Sequence, residues 1–386
     1  MKTCAALFFA LFVVPSALSS QSAPALGVAS TTGVVVSASD LAADVGAAIL
    51  AKGGNAVDAA VATAFAMAVT YPFAGNLGGG GFMVVRTPDG KTTTFDYRET
   101  APARATPTMY LGADGNIDMH LTSTGYLAPG VPGTVSGMAL AHHRFGKLPW
   151  KDDVEPAATL AAQGFVMAPS FAQSLQREVS NGMKPYAAST AAYGKPGGGA
   201  WAAGDRLVLP DLAKSLASIA RDGPDAFYKG WIADRIATDL GAHGGLIGKA
   251  DLASYQAKER PAITGTFLGY EVASMGPPSS GGIALVEMLN MLEALQIQHT
   301  TRGSADAVHL MTEVMRRAFL DRARFLGDTD FVQVPTATLT SKAHARELIA
   351  SIDRAKATSS VVLGQDLIGK TPGLEEPDNT TQFSVV

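Results

Sequence analysis

The sequence predicts an α+β protein in which a few short strands are layered with many helices. Three observations carry this. Strand-like apolar runs are few and scattered: near residue 33, across 82–98, near 267, and from 380 to the end. The stretch from about 135 to 260 instead repeats apolar residues at the 3.6-residue helical period. Strands and helices do not alternate regularly, so a parallel βαβ sheet is not predicted.

The elements follow in order. Gly33 to Ser39 (GVVVSAS) predicts a buried strand, and Asp40 is placed to cap a helix to about Lys52, ended by Gly53-Gly54. Asn55 caps the next helix, Ala56 to about Thr70, which is apolar on every side and therefore buried. Pro72 stops it. After the glycine-rich run Gly75 to Gly81, Phe82–Thr87 and Thr92–Arg98 form a hairpin across Pro88-Asp89-Gly90-Lys91. Helical periods then cover Gly133–His143, Val154–Gln163, Ser170–Arg177, Pro210–Arg221 and Trp231–Gly241, with 186–204 read as a long surface loop. Thr264–Met275 predicts a strand and Gly281–Leu295 an apolar helix that Ser280 can cap. Val308, Met311, Met315, Phe319, Arg322 and Phe325 mark one face of a further helix, closed by Gly327. Residues 353–378 read as extended and loop-like.

At 386 residues, with 47% apolar and 17% charged residues, the chain has material for a sizeable core, and disorder is not its default. A net charge of -4 without a long basic run excludes the electrostatic footprint of nucleic-acid binding. Residues 1 to about 22 have the form of an export signal: Lys2, then the apolar run Cys4–Val14, which is too short to span a bilayer, then Pro15-Ser16. Ala17 and Ser19 suit the -3 and -1 positions of a cleavage after Ser19. Cys4 is the only cysteine, so the mature chain would carry no disulfide and no thiol nucleophile. An exported, soluble protein, periplasmic or extracellular, is expected.

The motifs exclude more than they assign. The glycine run lacks the Lys-Ser/Thr of a phosphate loop and stands between helix and strand, the wrong order for a dinucleotide fingerprint. Close backbone packing or a pocket wall is the better expectation. Arg98, ending the hairpin beside that wall, could grip a carboxylate with two hydrogen bonds, or simply pair with Asp96 or Glu99 on the surface. Gly276 to Gly282 is not a Gly-x-Ser-x-Gly elbow. His142 and His143 point about 100° apart on a helix and cannot both face one metal. Asp328 and Asp330 lack the rest of a calcium loop, and no zinc spacing occurs. No metal and no cofactor are expected.

The final residues carry the chemistry. Behind Asp378-Asn379, Thr380-Thr381-Gln382-Phe383-Ser384-Val385-Val386 alternates polar and apolar as a half-buried strand does. Asn379-Thr380-Thr381 also matches a glycosylation acceptor. A hydroxyl at the head of a strand, behind an Asn, is the arrangement of self-cleaving amidases, in which the freed α-amine serves as base for the hydroxyl. So few strands cannot flank a central strand on both sides, and further sheet is expected beyond Val386.

Taken together, the chain resembles the large subunit of γ-glutamyltranspeptidases (glutathione hydrolases), of the N-terminal-nucleophile superfamily. Gly53 to Ala60, Gly78 to Met83, Phe95 to Pro102, Gly130 to Val135, Gly276 to Gly282, Ala318 to Phe331 and Asn379 to Val386 carry the resemblance, in the family order. It implies an incomplete αββα sandwich, a large subunit over 23–379 and the first residues of a small subunit at 380–386. It implies cleavage between Asn379 and Thr380, Thr380 as nucleophile, and Arg98 as the ligand of the γ-glutamyl α-carboxylate. Glutathione, γ-glutamyl compounds and amino-acid or dipeptide acceptors would be the small-molecule partners, and the chain's own small subunit the protein partner. Gln382 stands where many members carry His. A β-lactam acylase of the same superfamily and an inactive remnant are the competing readings. A chain ending at Val386 is expected to be inactive and poorly folded alone, its last strand an open edge.

Overall fold

The computed structural model describes residues 29–367 and 380–386. The expected export signal and Asn379 lie outside the described residues. Among the described residues the strands are β1 (Val35–Val36), β2 (Phe82–Arg86), β3 (Thr92–Asp96), β4 (Phe165–Val166), β5 (Arg206–Leu207), β6 (Lys258–Pro261), β7 (Ile263–Phe267), β8 (Tyr270–Ser274) and β9 (Ser384–Val385). They pair antiparallel as β1–β9, β2–β3–β6, β4–β5 and β7–β8. Helices fill the space between, and the class is α+β as the sequence predicts.

The helix Ala56–Thr70 is the axis of the main core. Apart from Ala56 and Ala64 all its residues are buried, because its small and apolar side chains let neighbours close on every side. Phe65, Met67, Val61 and Val69 each contribute about 1.5–3 kcal/mol by leaving water. Its start is a capping box: the Asn55 side chain accepts from Val57 and Asp58 N–H, and Asp58 accepts from Asn55 N–H at 2.8 Å. Thr134–Phe145, Trp150–Gln163 and Pro210–Asp222 contribute further residues to this core. A smaller cluster, Met291, Val314, Ala318 and Ala345, joins the helices Gly281–Ala294, Ala305–Phe325 and Lys342–Ile349.

Several expectations are corrected. The strand expected over 33–39 narrows to Val35–Val36, because Ser39 leaves it to cap the next helix by accepting from Ala42 N–H, and Asp40 is that helix's first residue instead. The surface stretch 186–204 holds a helix, Ala187–Tyr193. Thr264–Met275 is a hairpin, turned at Leu268 and Gly269, both with positive φ. The run 353–378 contains a helical turn, Ser360–Leu363. Lys258–Pro261, unpredicted, is an edge strand; its charges and terminal proline hide the period-2 signal and suit an edge.

The apolar face expected on the helix Ala305–Phe325 exists but points outward: Met311 and Phe319 are 50% and 48% exposed. The inward side carries Leu310, Val314 and Ala318 together with Glu313, Arg317 and Asp321. Arg317 is tolerated there because Glu313 (2.7 Å), the Leu348 and Ser351 carbonyls and the Ser351 hydroxyl satisfy it. Periodicity finds a stripe but cannot tell that a charged stripe is the satisfied, buried one.

Candidate active site

Arg98 lies two residues beyond β3, the central strand of its sheet, where Asp96 faces Phe82 on one side and Lys258 on the other. Its main chain is held twice. Its N–H donates to Asp96 Oδ1 at 3.1 Å, and its carbonyl accepts the Tyr255 hydroxyl at 2.8 Å. The glycine run packs directly on this segment: Tyr97 N–H donates to the Gly81 carbonyl at 3.0 Å. A Cβ on Gly80 would stand 2.4 Å from the Tyr97 carbonyl oxygen and 2.8 Å from Glu99 N. One on Gly133 would stand 1.9 Å from the same oxygen and 2.2 Å from the Tyr255 hydroxyl. These glycines therefore serve backbone approach, as expected of the wall, and no phosphate cradle.

Three tyrosines brace the site from below. Tyr97 donates to the Phe82 carbonyl at 3.0 Å, Tyr228 donates to the Pro132 carbonyl at 2.9 Å, and Tyr228 stacks on Tyr255 at 5.8 Å. Burial pushes all three hydroxyls far above the usual phenol range, so they act as neutral struts.

The Arg98 side chain is exposed, with its guanidinium carbon 5.9 Å from the centre of the Phe82 ring. The surface pairing weighed for it does not form. Asp96 is engaged by Arg260, Nε to Oδ2 at 2.7 Å, and among the described residues no ion pair reaches the Arg98 guanidinium. Its charge is thus available to an anion arriving from solvent. Arg260 was missed by sequence reasoning, which had no signal for a strand there. It also grips Asp330 at 2.8 and 3.2 Å, and Lys258 pairs with Asp330. These two cations, Arg260 first, hold the Asp330 carboxyl down at about 2. The motif Leu326–Phe331 is thereby tied to the sheet that ends in Arg98. Ser280 stands at the N-cap of its helix but makes no side-chain cap bond; its hydroxyl accepts from Arg322 Nε at 3.1 Å, and Ser279 accepts from Gly281 N–H.

Thr380 is exposed at the head of the terminal segment. The strand alternates as predicted: Phe383 packs on the main core and Val385 beside Ile49, Ala59 and Ala62, while Gln382 and Ser384 face out. Its register is Val35↔Val385 and Val36↔Ser384, extended by Val34 N–H to the Val386 carbonyl at 2.8 Å and the reverse bond at 2.9 Å. The Thr381 hydroxyl is buried and without a hydrogen-bond partner among the described residues. The strands nearest in sequence to Thr380 and Arg98, β9 and β3, belong to different sheets.

His142 and His143 do part as predicted. His142 turns inward, its Nε2 2.9 Å from the Leu148 carbonyl and 3.5 Å from Asp153, with Asp58 nearby. Desolvation first, then the charges of Asp58 and Asp152, push buried Asp153 up to about 8. The histidine Nε2 already faces a backbone carbonyl, while neither Asp153 oxygen has a hydrogen-bond donor among the described residues. Among the described residues no helix is long and apolar enough to cross a membrane.

Comparison with known proteins assigns this arrangement to a family. A family model described as gamma-glutamyltranspeptidase matches residues 42–386. The "Glutathione hydrolase proenzyme" of Escherichia coli (strain K12) is 47% identical over 92% of this chain and 60% of its own length. An "Acylase ACY 1 proenzyme" of Pseudomonas sp. (strain SE83) is 40% identical over 85% of this chain and 59% of its own. The chain thus spans about three fifths of the length of these relatives. The crystal structure of Helicobacter pylori gamma-glutamyltranspeptidase superposes with a TM-score of 0.85 at 38% identity, covering 91% of this chain and 99% of that one. The α+β fold is that of the N-terminal-nucleophile hydrolases, and the chain belongs to the gamma-glutamyltranspeptidase family.

Proposed function

We propose that the protein is a γ-glutamyl hydrolase and transferase acting on glutathione and γ-glutamyl amides, exported to the periplasm or the outside medium, and matured by cleavage between Asn379 and Thr380. Residues 23–379 would form the large subunit and 380–386 the start of the small one. The observation that carries the reading is Arg98: a cation whose backbone is fixed by Asp96 and Tyr255, whose neighbouring carboxylate is occupied by Arg260, and whose own charge faces solvent. Such a guanidinium suits a two-pronged grip on a single carboxylate.

The chemistry runs in two stages. The Thr380 hydroxyl attacks the Asn379 carbonyl, the peptide C–N bond breaks as the nitrogen takes the proton, and water hydrolyses the resulting ester. The freed α-amine, with an ordinary pKa near 8, then accepts the hydroxyl proton as the oxygen attacks the substrate γ-amide. The leaving amine departs protonated, and the γ-glutamyl ester passes to water or to an acceptor amine.

Mass spectrometry of the mature protein tests the first stage: a break before Thr380, abolished in Thr380→Ala, is expected, and turnover by uncleaved protein would refute it. Arg98→Ala tests the second, with a large rise in KM for γ-glutamyl-p-nitroanilide expected and an unchanged KM fatal to the carboxylate role. The similarity to an acylase favours a second reading, side-chain removal from a β-lactam. Faster deacylation of glutaryl-cephalosporin than of the γ-glutamyl anilide would select it.

A further inference from the structure

Away from Arg98 and Thr380, three helices bring together Glu287, Asp321 and His344, one ligand atom from each lying within 4.8 Å of the others. They come from Gly281–Ala294, Ala305–Phe325 and Lys342–Ile349, around the smaller core cluster. Glu287 is completely buried, and among the described residues no donor group reaches either of its carboxylate oxygens; the one polar neighbour is the Asp321 carboxyl, which a shared proton would have to bridge. Asp321 is 2% exposed; its Oδ2 lies 2.6 Å from His344 Nε2, and its Oδ1 is 3.9 Å from Arg324, which is itself bound more closely by Asp366 at 2.7 Å. His344 is partly open to solvent, which supplies an entry path. On its far side Nδ1 faces Glu347 at 3.9 Å. That distance is too long for a hydrogen bond, so the ring is placed by Asp321, and Nε2 is the nitrogen turned toward the two carboxylates.

We propose that Glu287, Asp321 and His344 form a binding site for a divalent first-row metal ion, of the zinc class, that staples the three helices. Two adjacent buried carboxylates cannot both stay charged unless a cation lies between them; otherwise a proton must bridge them. A 2+ ion matches their charge, and one imidazole with two carboxylates is a donor set zinc accepts, leaving a fourth position for water. The Asp58–His142–Asp153 cluster is unlike this one, because His142 Nε2 already faces the Leu148 carbonyl. The three ligands are 34 and 23 residues apart in sequence (287 to 321 to 344), so no spacing motif shows them.

The test uses the full-length protein without a histidine tag, stripped with chelator, then titrated with Zn2+ or with Co2+ as a spectroscopic probe. One ion per chain, Co2+ d–d absorption, and a rise in Tm on the order of 3 °C at a hundredfold excess over Kd are expected. Glu287→Gln keeps the shape and should lose the absorption and the shift while still folding; His344→Gln should do the same. If a proton alone bridges the carboxyls, the stripped protein will bind no Co2+ and show no Zn2+-dependent shift. Either that result or full binding by Glu287→Gln overturns the proposal.

Discussion

Replacing Asp96 by Asn tests whether the charges around Arg98 act as one device. Asp96 is 7% exposed and accepts two hydrogen bonds, one on each oxygen, from Arg98 N–H and from Arg260 Nε. An amide has one oxygen. Whichever donor it keeps, its NH2 faces the other, donor against donor. Removing one partner of a buried ion pair costs about 3–5 kcal/mol, but Arg260 keeps Asp330 at 2.8 Å. The lower figure for a lost charged hydrogen bond, about 2–3 kcal/mol, is therefore expected. For 386 residues the unfolding entropy is about 0.8 kcal/mol/K, which converts that loss to roughly 3 °C in Tm. Activity should report separately. Arg98 loses an anchor of its main chain, so KM for a γ-glutamyl anilide should rise about tenfold, with kcat less affected. Asp330→Asn removes a partner of the same guanidinium without touching Arg98, so it should lower Tm similarly and leave KM alone. Calorimetry and steady-state kinetics on the three proteins decide it. An unchanged Tm in Asp96→Asn, or an equal rise in KM in Asp330→Asn, would refute the reasoning.

Two further outcomes follow from the same geometry. Gly80→Ala places a methyl 2.4 Å from the Tyr97 carbonyl oxygen and 2.8 Å from Glu99 N, both backbone atoms; a loss of about 1–3 kcal/mol in urea unfolding is expected, with a raised KM because the displaced segment carries Arg98. Asp153 has its carboxyl pushed up to about 8 by burial and by Asp58 and Asp152, against an ordinary value of 3.8 when unfolded. The folded state then holds a proton that the unfolded state releases between about pH 4 and 8, so stability falls with rising pH across that window, by up to about 1.4 kcal/mol per unit. Asp153→Asn should flatten this slope in urea midpoints measured at pH 5 and 8; an equal slope in the two proteins would rule it out.

What the sequence made legible was local. The Asn55 cap, the all-apolar helix behind it, the hairpin ending in Arg98 and the alternation from Gln382 are each written within fewer than twenty consecutive residues. What it hid joins distant segments. Arg260 meets Asp96 across 164 residues and Asp330 across 70, and Tyr255 reaches the Arg98 carbonyl across 157. No period or spacing encodes such pairs, and the strand holding Arg260 is charged and ends in proline, which erases its pattern. The helix Ala305–Phe325 shows the converse failure: its most conspicuous apolar stripe is plain in sequence, yet the side that packs inward mixes Leu310, Val314 and Ala318 with charged residues, of which Glu313 and Arg317 satisfy each other.

The long-range pairs explain why the local motif alone left Arg98 ambiguous. A lone arginine beside Asp96 and Glu99 reads as a surface ion pair, and such pairs are worth little. The structure removes that outlet by spending Asp96 on Arg260, and it steadies Arg260 in turn with Asp330. Asp330, Arg260 and Asp96 thus form an alternating series that ends at the Arg98 N–H, fixing the main chain while leaving the guanidinium without a carboxylate partner among the described residues. The segment Leu326–Phe331, read in sequence as a failed calcium loop and as part of the family resemblance, has a physical role here: it delivers the carboxylate that pairs with Arg260 and Lys258 and ties this segment to the strand holding them.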